Sequence, residues 1–149
     1  MYKKVFLDAN VIVDMYDDRR PQHKYSSKTL EVLFEDENVQ LFTSCDIITT
    51  LYYILSKQNR EQALDFIEDV NEWCEVVDFA NAEIKECCQL MKQNPAYKDL
   101  EDTIQYVMAK KVSSDLILSN DKGFKSDDIV VMSSEGFLDK INIEERYIK

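Results

Sequence analysis

Apolar residues open the chain in a short block that ends on an acid: MYKKVFLDANVIVD carries Val5, Phe6 and Leu7 up to Asp8, with Asn10 and Asp14 beyond. A run this short predicts a buried strand with Asp8 at its carboxyl end. Within Tyr25 to Glu37, Leu30, Leu33 and Phe34 recur at helical spacing, and VQLFT (39–43) then predicts a second strand. DIITTLYYILSK (46–57) predicts a helix despite its β-branched residues, because it continues into Asn59 to Trp73, where Ala63, Phe66, Ile67 and Val70 repeat at three and four. CEVV (74–77) predicts a third strand. Helices are predicted over Glu83 to Gln93 and Leu100 to Val112, the second with Leu100, Ile104, Val107 and Met108 on one stripe. DLIL (115–118) and IVVM (129–132) predict the fourth and fifth strands, and a short helix from Ser134 to Asp139 closes the pattern. Strands alternating with helices imply right-handed crossovers. The expected fold class is therefore α/β, with helical layers about a mostly parallel, roughly five-stranded central sheet.

Composition narrows this picture without redirecting it. A length of 149 residues suits a single domain over 1–149. Apolar residues at 45% make a packed interior the expectation, and only two Gly and two Pro fit helices and short connections. The 18 Lys and Arg face 29 Asp and Glu, a net charge of -11 that argues against sequence-independent coating of nucleic acid. It leaves room for an enzyme whose metal ions reverse the local sign. Cys45, Cys74, Cys87 and Cys88, with one His, lack the spacing of a zinc site. The first apolar run is broken at once by Asp8, unlike a signal peptide, and no stretch is long enough to span a bilayer. Reduced thiols, a cytoplasmic location and no membrane association are the expectation.

Aspartates follow four of the predicted strands: Asp8, Asp46, Asp78 and Asp121. The ends of parallel strands share one edge, so carboxylates there are candidates for a joint site. Aspartate is also a preferred helix N-cap, which accounts well for Asp46 and Asp78. Asp8 has Asn10 and Asp14 nearby, and Asp121 lies in the polar turn SNDKGF (119–124). A third acid would come from Asp99, Glu101 or Asp102, at a helix start that favours negative charge in any case. By spacing alone Asp102 points away from the apolar stripe and reads as solvated.

Taken together, FLDANVIVD, LEDTIQYVMA and ILSNDKGF, in this order, resemble the PIN domain, a nuclease fold found in the toxins of many type II toxin–antitoxin pairs. The tail IVVMSSEGFLDKI is similar to that family's last strand and helix, so the likeness spans nearly the whole chain. The resemblance places the opening motif on Asp8, Asn10 and Asp14, a metal-binding acid on Asp102 with Gln105 after it, and the late motif on Ser119, Asp121 and Phe124. It implies an endoribonuclease in which Asp8, Asp102 and Asp121 are catalytic by binding Mg²⁺ or Mn²⁺, with Asn10 and Ser119 orienting those ligands. Magnesium retains several waters, so three carboxylates suffice. One position departs from the pattern: Thr50 stands where an acid commonly precedes the Leu-Tyr-Tyr run. Either Asp46, one turn earlier on the same helical face, replaces that acid, or Thr50 holds a water. The implied partners are an RNA substrate, an antitoxin protein and a second copy in a homodimer.

Two other classes compete. A catalytically weakened PIN-like module acting through protein binding would suit Thr50 and the net charge. A receiver or phosphatase would need an acid pair, or an acid at position 10, that the chain lacks. His23, Arg19, Arg20 and Lys24 read as a solvated turn, and Tyr52 and Tyr53 as packing against the core.

Overall fold

In the computed structural model, which describes residues 2–148, five strands pair in parallel: β1 (Lys4–Leu7), β2 (Gln40–Ser44), β3 (Glu75–Val77), β4 (Leu116–Leu118) and β5 (Val130–Met132). Their spatial order is β3-β2-β1-β4-β5. Among the described residues they are joined by seven helices: α1 (Ala9–Tyr16), α2 (His23–Glu35), α3 (Ile47–Leu55), α4 (Arg60–Trp73), α5 (Asn81–Gln93), α6 (Leu100–Lys111) and α7 (Ser134–Ile148).

The period-two alternation of the strands divides the core. Val5, Leu7, Leu41, Leu116 and Leu118 face one side, where they pack with apolar residues of α1, α2, α3, α4 and α7. Phe6, Phe42, Val77 and Ile117 face the other, against α5 and α6. The result is the expected helix–sheet–helix layering. Because β1 and β4 are covered on both faces, they appear in sequence as unbroken apolar runs. The chain winds outward from β1 through β2 to β3, then returns across the sheet to place β4 on the other side of β1. A crevice opens at the carboxyl ends of the two strands that flank such a reversal.

Three elements differ from the sequence reading. Helix α1 was not predicted: ANVIVDMY is rich in β-branched residues and reads as more of the strand, but burial of Val11, Ile12 and Val13 outweighs their weak helix propensity. The expected continuous helix from Asp46 to Trp73 is two helices, with Asn59 accepting a hydrogen bond from Gln62 N at 2.9 Å to cap the second. Helix α7 runs to Ile148 instead of stopping at Asp139, and Ile141 adds a core contact beyond the expected end.

Candidate active site

Asp8 leaves β1 directly into α1, and its backbone N–H donates to Leu118 O of β4 at 2.9 Å. It occupies the N-cap position, yet its carboxylate makes no capping bond. The side chain turns toward β4, where it accepts from Asn10 Nδ2 at 2.9 Å and Ser119 Oγ at 2.7 Å, and only 4% of the residue is exposed. Ser119 also accepts from the Asp121 N–H at 3.1 Å, so one hydroxyl links the two acidic segments. The Asp121 carboxylate in turn accepts from Gly123 N at 2.8 Å. A Cβ on Gly123 would stand 3.3 Å from that oxygen, a tight contact that the glycine avoids.

The third acid contradicts the spacing argument. Leu100, assigned to the buried stripe, is 52% exposed, whereas Ile104, Val107 and Met108 pack as expected and Thr103, Gln105, Tyr106 and Ala109 are buried with them, so the packed face of α6 is wider than the stripe and shifted from Leu100. Asp99 caps the helix by accepting from Asp102 N at 2.9 Å. The Asp102 side chain is thereby left half-buried beside Asp8 and Asp121 instead of solvated. Burial, followed by the charges of Asp8, Asp99 and Asp121 and a hydrogen bond with Asp121, pushes its pKa up to about 7. Burial also raises Asp8, against hydrogen bonds from Ser119, Gln105 and the backbone of Ala9 that favour its anion. Gln105 is itself buried, and its Oε1 has no partner among the described residues.

Of the two residues offered for the missing acid, Asp46 stands at the head of α3 with its carboxylate held by the Ser44 hydroxyl. Glu101, weighed with Asp99 and Asp102 as a third acid, is raised by partial burial and then by the charges of Asp46 and Asp8. Asp46 and Asp8 therefore act on the same neighbour. Thr50 is half-buried one turn further along α3. Asp46 and Asp78 are not side-chain caps: α3 has no side-chain cap bond, and Ala80 occupies the cap position of α5.

Several residues read as solvated are engaged. Arg20 pairs with the buried Asp14 carboxylate, and His23 Nδ1 donates to Asp14 O at 2.8 Å. Tyr53, expected to pack, is 66% exposed with the Lys57 ammonium 4.2 Å from its ring centroid. Lys122 lines a cleft with Asp121, and Lys98 and Lys125 line a smaller one with Asp102.

The donor chemistry suits a hard divalent cation: oxygen ligands only, with Asp8 and Asp102 raised by burial and then by neighbouring acids, and a buried amide oxygen left unpartnered. As they stand, no three acidic, cysteine or histidine side chains among the described residues converge on one point. An ion held here would complete its shell with water, as magnesium does. No helix among the described residues is long and apolar enough to cross a membrane.

The sequence pattern of the PIN domain family matches residues 5–128. Ribonuclease VapC1 of Aquifex aeolicus (strain VF5) is 47% identical over 140 residues, covering 94% of this chain and 96% of that protein. VapBC2 from Rickettsia felis, solved bound to a DNA fragment from their promoter, is similar with a TM-score of 0.68 at 18% identity, over 87% of this chain and 98% of that one. VapC20 of Mycobacterium tuberculosis, a Sarcin-Ricin loop cleaving toxin, gives 0.68 at 12% identity, over 85% and 96%. These two likenesses concern the fold.

Proposed function

The chain belongs to the PIN domain family, and on that premise we propose that it is a divalent-metal-dependent endoribonuclease, the toxin of a toxin–antitoxin pair, with Asp8, Asp102 and Asp121 holding the metal. The observation that supports this reading is that Asp102 feels the charges of both Asp8 and Asp121, although the three carboxylates, as they stand, do not converge on a single point. The ion is Mg²⁺ or Mn²⁺. When bound, it would activate water and stabilise the charge that develops on the phosphodiester.

The residues of the chain divide the remaining work. Asn10 and Ser119 donate to Asp8 and fix its direction, and the Ser119 bond favours the anion against burial. Gly123 N donates to the Asp121 carboxylate and fixes its direction. Asp46, held by Ser44 and close to the charge of Glu101, takes the place of the acid absent at Thr50. Lys98, Lys122 and Lys125 offer positive charge to RNA phosphates on either side of the carboxylates. The ribonuclease name of the 47% identical relative and the toxin title of VapC20 support RNA as substrate. The VapBC2 neighbour supports a partner antitoxin. We further read the chain as one domain, cytoplasmic and homodimeric.

Titrating Mn²⁺ calorimetrically into wild type and Asp8→Asn, with cleavage of RNA as the second readout, tests the reading. Wild type binds and cleaves, and Asp8→Asn loses cleavage by roughly a hundredfold or more. Absence of metal binding by wild type would overturn it. Thr50 favours one competing reading, a weakened module acting by protein contact, for which metal binding without cleavage is the signature.

A further inference from the structure

Asn120, between Ser119 and Asp121, uses almost every hydrogen-bonding group it has. Its backbone N–H donates to Asn10 Oδ1 at 3.0 Å. Its Nδ2 donates to Asp14 Oδ2 at 2.7 Å and to Ser26 Oγ at 2.9 Å, and its Oδ1 accepts from Ser134 N at 3.0 Å. Asp14, Ser26 and Ser134 are all buried, and they belong to α1, α2 and α7. Ser26 and Ser134 close the ring with a 2.9 Å contact between their hydroxyls. One side chain therefore ties the loop after β4 to three helices at once.

The amide of Asn10 sits between this network and the acids. Its oxygen receives the Asn120 N–H and its nitrogen donates to Asp8, so the contact with Asn120 fixes which way the amide faces. Neutral donors inside the cluster also keep the network from adding a free anion near the site. The Asp14 carboxylate, only 3% exposed, is balanced by Arg20 on one oxygen and by the Asn120 amide on the other.

We infer that Asn120 is a positioning residue, which sets the separation of Asp121 and Ser119 from Asp8 by anchoring their shared loop to Asp14, and so tunes the affinity of the site for its divalent ion. The inference rests on the metal-site reading above. Groups that orient metal ligands typically contribute ten- to hundredfold in affinity.

The test compares Mn²⁺ affinity by calorimetry in wild type, Asn120→Ala, Asn120→Asp and the double exchange Asn120→Asp with Asp14→Asn. Each protein's thermal midpoint is measured alongside. Asn120→Ala and the isosteric Asn120→Asp, which sets two carboxylates face to face, should bind roughly tenfold more weakly. The double exchange restores an amide–carboxylate pair with its direction reversed and should recover most of the affinity. In cleavage assays the single variants lower kcat while the KM for RNA stays nearly constant. Ser26→Ala, which removes one anchor but leaves the bonds to Asp14 and Asn10, supplies the purely structural comparison: a lower midpoint with unchanged Mn²⁺ affinity. If Asn120→Ala does not fold, Asn120→Asp and the double exchange decide the matter. Folded single variants that bind Mn²⁺ like wild type overturn the inference. A wild type that binds none overturns the metal-site reading and this inference with it.

Discussion

Asp102 carries the clearest consequence for solution behaviour. Its folded pKa of about 7 lies well above the ordinary aspartate value, so the metal-free fold favours the neutral acid. Stability from this group is fully present below its unfolded pKa and is lost as pH rises through about 7. Asp8 is raised as well and contributes in the same direction. The metal-free protein should therefore melt at a lower temperature at pH 8 than at pH 5.5. Asp102→Asn should flatten that slope and raise stability at pH 8 by about 1–2 kcal/mol, after allowing for solvent screening of a half-buried group. Thermal denaturation in EDTA across this range is the measurement. A slope unchanged by Asp102→Asn would show that the carboxylate is not desolvated by its neighbours.

Among the elements, the ends of the helices make the sharpest predictions. Helix α6 closes with Ser113 at φ 58°, the left-handed conformation, while Ser114 N donates back to Ala109 O at 2.9 Å. A glycine adopts that conformation without the Cβ penalty, so Ser113→Gly should stabilise the protein by about 0.5 kcal/mol. Asn59→Ala should cost about 1 kcal/mol through loss of the α4 cap, and both changes are read from denaturant midpoints. The same elements show what sequence can disclose. The five strands were legible as short apolar runs, clearest in β1 and β4, which are buried on both faces. Helix α1 was not, since Val11, Ile12 and Val13 suit a strand and only their packing against the sheet selects the helix. Asp8 and Asp121 could be placed from the strand ends they follow. The position of Asp102 depends on how α6 rolls against the sheet, which the Leu100, Ile104, Val107, Met108 spacing misjudged because Leu100 faces solvent. Resemblance to a family supplied what periodicity could not. Asn120 gave no local signal, because its partners lie up to 110 residues away in sequence.

For the whole molecule, a net charge of -11 makes the approach of RNA unfavourable except where cations gather. Lys98, Lys122 and Lys125 border the carboxylates, and the first two form no ion pair among the described residues. Raising salt from 50 to 200 mM should therefore raise the KM for RNA, and Lys122→Ala with Lys125→Ala should raise it several-fold at low salt and reduce its salt dependence. Steady-state kinetics across that series decides the point: a KM indifferent to salt and to both substitutions would remove the lysines from the substrate path. The strand order also has a consequence for how the protein comes into being. Asp8 and its hydrogen-bond partner Ser119 lie 111 residues apart in sequence, and Ser119 directly follows a strand that must slot in beside β1. A chain truncated before β4 lacks both the strand that pairs with β1 and the Ser119 hydroxyl that holds Asp8. The crevice beside Asp8 therefore depends on residues 116–121 as much as on the strand that carries it.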